Sequence, residues 1–143
     1  MTAIHHLGLA CADPLAIERW YTTHFGFRRK RVFLPGPDQV VVIGTEDGAS
    51  LELFPAKGER PFPPEGDGAG PEHVGYRHLA FLVDDLDAKL ADLGDEARVT
   101  LGPVDMGGLI EGMRVVWVAD PEGNIVELNQ GYVDERDPPP LDG

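Results

Sequence analysis

Short stretches of alternating hydrophobic and polar residues in the first half of the chain are typical of β-strands. Ile4–Cys11 alternates in this way. Apolar side chains at positions 17, 20, 21 and 25 then share one face of a predicted helix, which begins after the N-cap residue Asp13 and ends at Gly26. Further strands are predicted at about 27–34, 39–44 and 49–54. The first half therefore predicts a βαβββ module.

The second half of the chain repeats this pattern. Residues 76–88 align without a gap on residues 4–16, so that His78 falls on His6 and Asp85 falls on Asp13. The predicted elements are a strand at 76–83, a helix from about 85 to 93, and strands near 97–101, 114–119 and 124–129. The chain is thus predicted to belong to the α+β class, as two tandem βαβββ modules.

The predicted modules form a single domain over residues 1–133. Module 1 covers about 3–55 and module 2 about 76–131, and a segment rich in proline and glycine, 56–75, joins them. This segment is either a mobile connector, which its composition favours, or an ordered lid over a site. The tail 134–143 is expected to be disordered.

Two histidines and two glutamates recur at matched positions of the repeat. Besides His6 and His78, the segment SLELF at 50–54 matches IVELN at 125–129, which aligns Glu52 with Glu127. Strand alternation places all four side chains away from the strongly apolar face, on a concave sheet face with a central cavity. A structural histidine or a solvated glutamate is the common alternative, but a hydrophobic core does not require such residues to recur in pairs.

These four residue types suit a divalent metal. Imidazole and carboxylate ligands are favoured by zinc, nickel, iron, manganese and cobalt, whereas an all-oxygen set suits magnesium or calcium. The repeat therefore predicts one divalent metal per site, held by His6, Glu52, His78 and Glu127. Ligand types alone leave the identity of the metal open.

The composition limits which binding partners and which cellular compartment we expect for this protein. The chain has 12 Lys plus Arg against 25 Asp plus Glu, a formal charge of −13, which argues against a nucleic-acid or anionic-membrane partner. Its single cysteine excludes an intrachain disulfide, and it has no membrane-length apolar run. Because residues 1–6 contain no basic segment followed by an apolar one, we expect no signal peptide there. We therefore expect a cytoplasmic protein that acts on a small molecule.

Several weaker features leave alternatives open. Arg28 and Lys30 share one strand face within the basic cluster 28–31, which either holds a substrate carboxylate or phosphate or is a solvated strand edge, the latter being favoured. We predict that His5 is structural on the packed side and that His24 lies on the helix surface. His73 is a candidate lid residue, and Cys11 is expected to be a small buried hydrophobe.

The motifs HLGLACAD, SLELF, YRHLAFLVDDLDA and ADPEGNIVELNQ resemble those of the vicinal oxygen chelate superfamily over about residues 4–130. This superfamily includes glyoxalase I, extradiol dioxygenases and bleomycin-resistance proteins. The resemblance implies a cup-shaped sheet around the metal, with His6, Glu52, His78 and Glu127 at the four ligand positions of glyoxalase I. It further implies that Glu127 or Glu52 acts as the base, and Glu127 is favoured.

The resemblance implies a metal-dependent lyase or isomerase whose substrate chelates the metal through vicinal oxygens. The alternatives are an Fe(II) extradiol-type dioxygenase, with His6, His78 and Glu127 as ligands, and a non-catalytic binding protein of the bleomycin-resistance kind. Ala10 and Ala56 stand where bacterial glyoxalase I has an arginine and an asparagine that contact glutathione, so the resemblance does not include these two contacts and leaves the use of glutathione open. A homodimer is expected, with sites formed within one chain or across two.

Overall fold

The computed structural model describes residues 1–33, 36–60 and 75–141, which form eight strands, two α-helices and a short 3-10 turn at Gly94–Glu96. The first module contains β1 Leu7–Cys11, α1 Pro14–Phe25, β2 Arg28–Phe33, β3 Val40–Gly44 and β4 Ser50–Pro55. The second contains β5 Leu79–Leu82, α2 Leu86–Leu93, β6 Arg98–Asp105, β7 Arg114–Ala119 and β8 Ile125–Gln130. The predicted α+β class and the two βαβββ modules are confirmed.

Each module forms its own four-stranded mixed sheet. The strand order is β1-β4-β3-β2 in the first sheet and β5-β8-β7-β6 in the second. In both sheets the first strand pairs in parallel with the last, and this register places Gly8 beside Glu52 and Ala80 beside Glu127. The two modules therefore pair a small residue with the repeated glutamate at the same position of each sheet.

The helix boundaries follow from local side-chain chemistry. The Asp13 carboxylate accepts hydrogen bonds from the backbone N–H groups of Leu15 and Ala16, both at 3.1 Å. Gly26 ends α1 with φ of +67°, a left-handed conformation that a residue without a Cβ adopts at little cost. In α2, Asp85 accepts from the backbone of Ala88 at 2.9 Å. The N-cap and C-cap predicted for α1 are therefore confirmed.

The core of the first module lies between α1 and its sheet. Ile17, Trp20 and Tyr21 are buried on one helix face, and Leu51 and Leu53 are buried on the facing side of β4. Because side chains alternate along a strand, Glu52 points to the opposite face. The prediction that the repeated polar residues avoid the apolar face is confirmed here, and Val126 and Leu128 are buried around Glu127 in the same way.

His24 is buried, so the prediction that it lies on the helix surface is wrong. It follows Trp20 by four residues, which places both side chains on the same face of α1. The His24 ring makes an edge-on contact with the indole of Trp20, with ring centroids 5.7 Å apart. The helical spacing of residues 17, 20, 21 and 24 could have indicated this burial, but the polar character of histidine outweighed it.

The described residues form two compact units, which do not coincide fully with the modules. The first unit contains residues 1–60 together with the turn Ala119–Asn124, and the rest of the second module forms the other unit. Within the first unit, Asp120 is fully buried and accepts a hydrogen bond from the Tyr21 hydroxyl at 3.3 Å. Glu122 on the same turn accepts a hydrogen bond from the backbone N–H of Asp13 at 2.6 Å. This turn therefore packs against α1.

The strand boundaries differ from the prediction by more than one residue at three places. β1 and β5 begin at Leu7 and Leu79, one residue after the repeated histidines, and β6 extends to Asp105.

Residues 61–74, which include most of the predicted connector and His73, lie outside the described residues. Residues 134–141 are exposed and contain no helix or strand. The extent of the single domain and the disorder of the tail stay predictions.

No helix within the described parts of the chain has the length and apolar character needed to span a membrane.

Candidate metal centre

His6 and Glu52 form a pair in the first unit. His6 immediately precedes β1 and Glu52 lies in the middle of β4, the strand that pairs with β1 in parallel. The Nε2 atom of His6 lies 3.0 Å from Oε2 of Glu52, and their side chains are 37% and 19% exposed. Gly8 is paired with Glu52 in this register and has no side chain here; a Cβ at this position would lie 3.6 Å from the ring of Phe54. The pair is thus accessible from one side.

His5 orients the ring of His6. The Nδ1 atoms of the two imidazoles are 2.8 Å apart, so one of them carries a proton and donates it to the other. If the proton is on Nδ1 of His6, its Nε2 presents a lone pair on the side of Glu52. His5 is exposed, and the prediction that it is structural on the packed side is wrong. The reason is that β1 starts at Leu7, so strand alternation does not extend to residue 5.

His78 and Glu127 form the matching pair in the second unit. Nε2 of His78 lies 3.1 Å from Oε2 of Glu127, and their side chains are 23% and 13% exposed. The other carboxylate oxygen of Glu127 accepts a hydrogen bond from the side-chain amide of Asn129 at 2.9 Å. Asn129 was not predicted to be functional, although its position two residues after Glu127 places both on one strand face. This carboxylate is therefore held more firmly than that of Glu52.

Trp117 lies beside the second pair. Its ring makes an edge-on contact with His78, with centroids 6.5 Å apart. The indole N–H is buried and has no hydrogen-bond partner among the residues that the structure describes. The indole ring therefore lies on one side of the His78 imidazole.

The spacing of the donor atoms fits a shared metal ion. Two ligand atoms that each lie about 2.1 Å from one ion, at about 90° to each other, are about 3.0 Å apart. The observed separations of 3.0 and 3.1 Å match this value in both pairs. A hydrogen bond from an imidazole N–H to a carboxylate has the same length. Each pair is therefore either such a hydrogen bond or a nitrogen-plus-oxygen half of a metal site.

The structure brings the four predicted ligands together as two pairs, one in each unit. Within residues 1–33, 36–60 and 75–141, no three His, Cys, Asp or Glu side chains form a cluster that could hold a metal ion. A site made of all four residues stays a prediction.

Cys11 and two arginines of the basic cluster have structural roles. Cys11 is fully buried, and burial together with the nearby carboxylates raises the pKa of its thiol to about 12, so it is a poor ligand or nucleophile at neutral pH. In the basic cluster, Arg29 binds both carboxylate oxygens of Glu18, at 2.6 and 2.5 Å, and Arg31 lies over the ring of Phe33. The cluster lies on β2, which is an edge strand as predicted.

Fold and site define a protein built of paired βαβββ modules with one His–Glu pair in each. The family model of the Glyoxalase/Bleomycin resistance protein/Dioxygenase superfamily matches residues 3–128. The chain belongs to this superfamily, which includes glyoxalase I enzymes and whose members typically bind a divalent metal.

One relative is the uncharacterized protein YaeR of Escherichia coli (strain K12), 35% identical over 127 residues that cover 87% of this chain and 93% of YaeR. A glyoxalase/dioxygenase from Nostoc punctiforme has a similar structure, with a TM-score of 0.69, 24% identity and 92% coverage of both chains. The trypanothione-dependent glyoxalase I of Leishmania major has a TM-score of 0.66 at 20% identity, covering 92% of this chain and 88% of its own.

An antibiotic-binding protein of Streptomyces sp. CB03234, TnmS3, is also similar, with a TM-score of 0.63 at 22% identity, covering 92% of this chain and 98% of its own. At these identities the three solved structures share the fold with this chain. The predicted superfamily membership is confirmed.

Proposed function

We propose that this chain is a divalent-metal-dependent, glyoxalase-like lyase or isomerase acting on a small molecule with vicinal oxygens. The observation that carries the proposal is the matched pair of His–Glu contacts, 3.0 Å in one unit and 3.1 Å in the other. Two structural ion pairs would not need the same donor atoms at the same register of both sheets. A repeated half-site accounts for this match.

The residues proposed to hold the metal are His6, Glu52, His78 and Glu127. Zinc, nickel, manganese, cobalt and iron all accept this set of two imidazoles and two carboxylates. When bound, such an ion supplies Lewis-acid polarisation of the substrate's neighbouring oxygens. The two half-sites are completed either within one chain or between the two chains of a homodimer, which we also propose.

Glu127 is the proposed base. Asn129 holds one of its carboxylate oxygens, so the other oxygen can exchange its contact with His78 for a substrate proton while the carboxylate keeps its position. This oxygen would take a proton from a hydroxyl-bearing carbon next to a carbonyl and return it to the former carbonyl carbon, while the hydroxyl proton passes to the former carbonyl oxygen. Glu52, which contacts His6 but accepts no hydrogen bond from an amide side chain within the described residues, is the second candidate.

Metal content tests the ligand set. The protein is stripped of metal, reloaded with zinc, and assayed by elemental analysis. We expect one ion per chain in the parent and strongly reduced content in Glu52→Gln and His78→Ala. Glu46→Gln changes an exposed glutamate outside the pairs and is the matched control. Full occupancy in both ligand variants, with unchanged circular dichroism, would contradict the proposed site.

Turnover assays distinguish a lyase or isomerase from a dioxygenase and from a binding protein. The lyase or isomerase predicts that the metal-loaded parent converts a dicarbonyl–thiol adduct and that Glu127→Gln loses most of this activity while keeping part of the metal. Oxygen consumption with catechol by the iron-loaded protein would instead indicate a dioxygenase with His6, His78 and Glu127 as ligands. Tight binding of a small molecule without turnover would indicate a binding protein, the function that TnmS3 has by its name.

A further inference from the structure

We propose that the ammonium group of Lys30 recognises an anionic substituent, a carboxylate, on the molecule that binds at the His6–Glu52 pair. The inference rests on the proposed function and adds the charge of the substrate to it.

The Lys30 side chain crosses a neighbouring strand. Lys30 lies on the edge strand β2, and its Nζ reaches the hydroxyl of Ser50 on β4 at 3.3 Å, with β3 between the two. The crossing takes place over Gly44 of β3. A Cβ at this position would lie 2.6 Å from Nζ and 2.7 Å from Cε of Lys30, and 2.6 Å from the backbone oxygen of Ala49, all closer than atoms approach without a bond. The absence of a side chain at residue 44 therefore opens the path of the lysine.

Lys30 ends on the same face as the proposed metal ligand. Ser50 and Glu52 are two residues apart on β4, so their side chains project from the same side of the sheet. Two strand residues span about 7 Å. This distance is the size of a small organic molecule, so one ligand can reach both the His6–Glu52 pair and the ammonium.

The contact with Ser50 positions the ammonium without neutralising it. The Ser50 hydroxyl donates to the backbone carbonyl of Gly48 at 3.4 Å and can accept from Lys30. Within the described residues, Ser50 is the only hydrogen-bond partner of the Lys30 Nζ, which forms no ion pair there. Two of its three N–H donors are thus available to a ligand. Arg29 and Arg31 on the same strand are occupied by Glu18 and Phe33.

Charge explains why such a group would be needed. The chain carries a formal charge of −13, and Glu52 lies on the same sheet face, so an anionic ligand approaches against a negative field. A cation at one side of the site offsets this repulsion and orients the ligand. Lys30 is exposed, so contact with a ligand carboxylate requires little desolvation of the ammonium.

Two chelating probes of equal length test the inference. Butyrohydroxamate and succinic monohydroxamate have the same metal-binding group, and the second replaces the terminal methyl with a carboxylate. Their affinities for the zinc-loaded protein are measured by calorimetry at low and high salt. The parent should bind the succinic probe about five- to tenfold more tightly at low salt, and salt should reduce this preference.

Three variants test whether Lys30 causes the preference for the succinic probe. Lys30→Met keeps an aliphatic stem over Gly44 and should bind both probes equally, with the affinity for butyrohydroxamate unchanged. Lys30→Arg should retain most of the preference. Arg31→Met removes a neighbouring charge of β2 and is the matched control, with the preference of the parent. Zinc content should be the same in all four proteins.

The two proposals fail in different ways. If butyrohydroxamate binds but the parent shows no preference, or if Lys30→Met keeps the preference, Lys30 is not the recognition group and the metal site stands. If neither hydroxamate binds the zinc-loaded parent, the proposed function is wrong and the role of Lys30 is refuted with it.

Discussion

Replacing Asp120 should destabilise the first unit more than any change at the protein surface. Its carboxylate is fully buried and accepts four hydrogen bonds. The donors are the Tyr21 hydroxyl at 3.3 Å, the backbone N–H groups of Glu122 and Asn124 at 3.0 and 2.9 Å, and the Asn124 amide at 2.8 Å. Asp120→Ala leaves all four donors without this partner.

The size of the effect follows from how far water can replace the lost acceptor. Tyr21 is 1% exposed, so its hydroxyl bears the full cost of an unsatisfied buried donor, about 1–3 kcal/mol. Glu122 and Asn124 are only half-buried, and water can partly satisfy their donors. We expect Asp120→Ala to lower the free energy of unfolding by about 3–5 kcal/mol, a large part of the stability of a typical domain.

Urea denaturation followed by circular dichroism measures this change. Tyr21→Phe removes one of the four donors and should cost about 1 kcal/mol, and Asp120→Asn, which keeps one acceptor oxygen, should lie between the parent and Asp120→Ala. A loss of less than about 1 kcal/mol in Asp120→Ala, with an unchanged denaturant slope, would refute the role of this network.

The same residue predicts a pH dependence. Burial raises the pKa of the Asp120 carboxyl above its ordinary value of 3.8, so the native protein binds this proton more tightly than the unfolded chain does. The stability contributed by the group is fully present below 3.8 and is lost as the pH rises through the raised native pKa. The difference in unfolding free energy between the parent and Asp120→Ala should therefore increase as the pH is lowered from 7 towards 4. A difference that is flat or shrinks over this range would contradict the burial of a carboxyl with a raised pKa.

Two further predictions follow from local contacts. The thiol of Cys11, with a pKa of about 12, should react with iodoacetamide at pH 8 about a thousandfold more slowly in the native protein than in urea, and rates within tenfold of each other would contradict its burial. Asp13→Ala should lower the free energy of unfolding by about 1 kcal/mol because the first turn of α1 loses the acceptor of two backbone N–H groups, whereas Asp13→Asn should stay close to the parent in the same urea titration.

The features that the sequence predicted correctly are those that depend on residues close together in the chain. Asp13 and Gly26 end α1 on its two sides through contacts with residues at most five positions away. The alternation of Leu51, Glu52 and Leu53 assigns each side chain to a face of β4. The internal repeat extended this local information, because it aligned His6 with His78 and Glu52 with Glu127 before any contact was known. The structure confirms both modules and shows both His–Glu pairs.

Contacts between distant parts of the chain were decided only by the tertiary structure. Nothing in the pattern indicates that Tyr21 bonds to Asp120, 99 residues away, or that Lys30 reaches Ser50 across Gly44. These contacts depend on which strands become neighbours and how side chains cross them, and many arrangements satisfy the same alternation. Local periodicity and the repeat therefore determined the elements and the candidate ligands. Strand pairing and packing determined their hydrogen-bond partners, because these depend on distances in space that spacing along the chain does not encode.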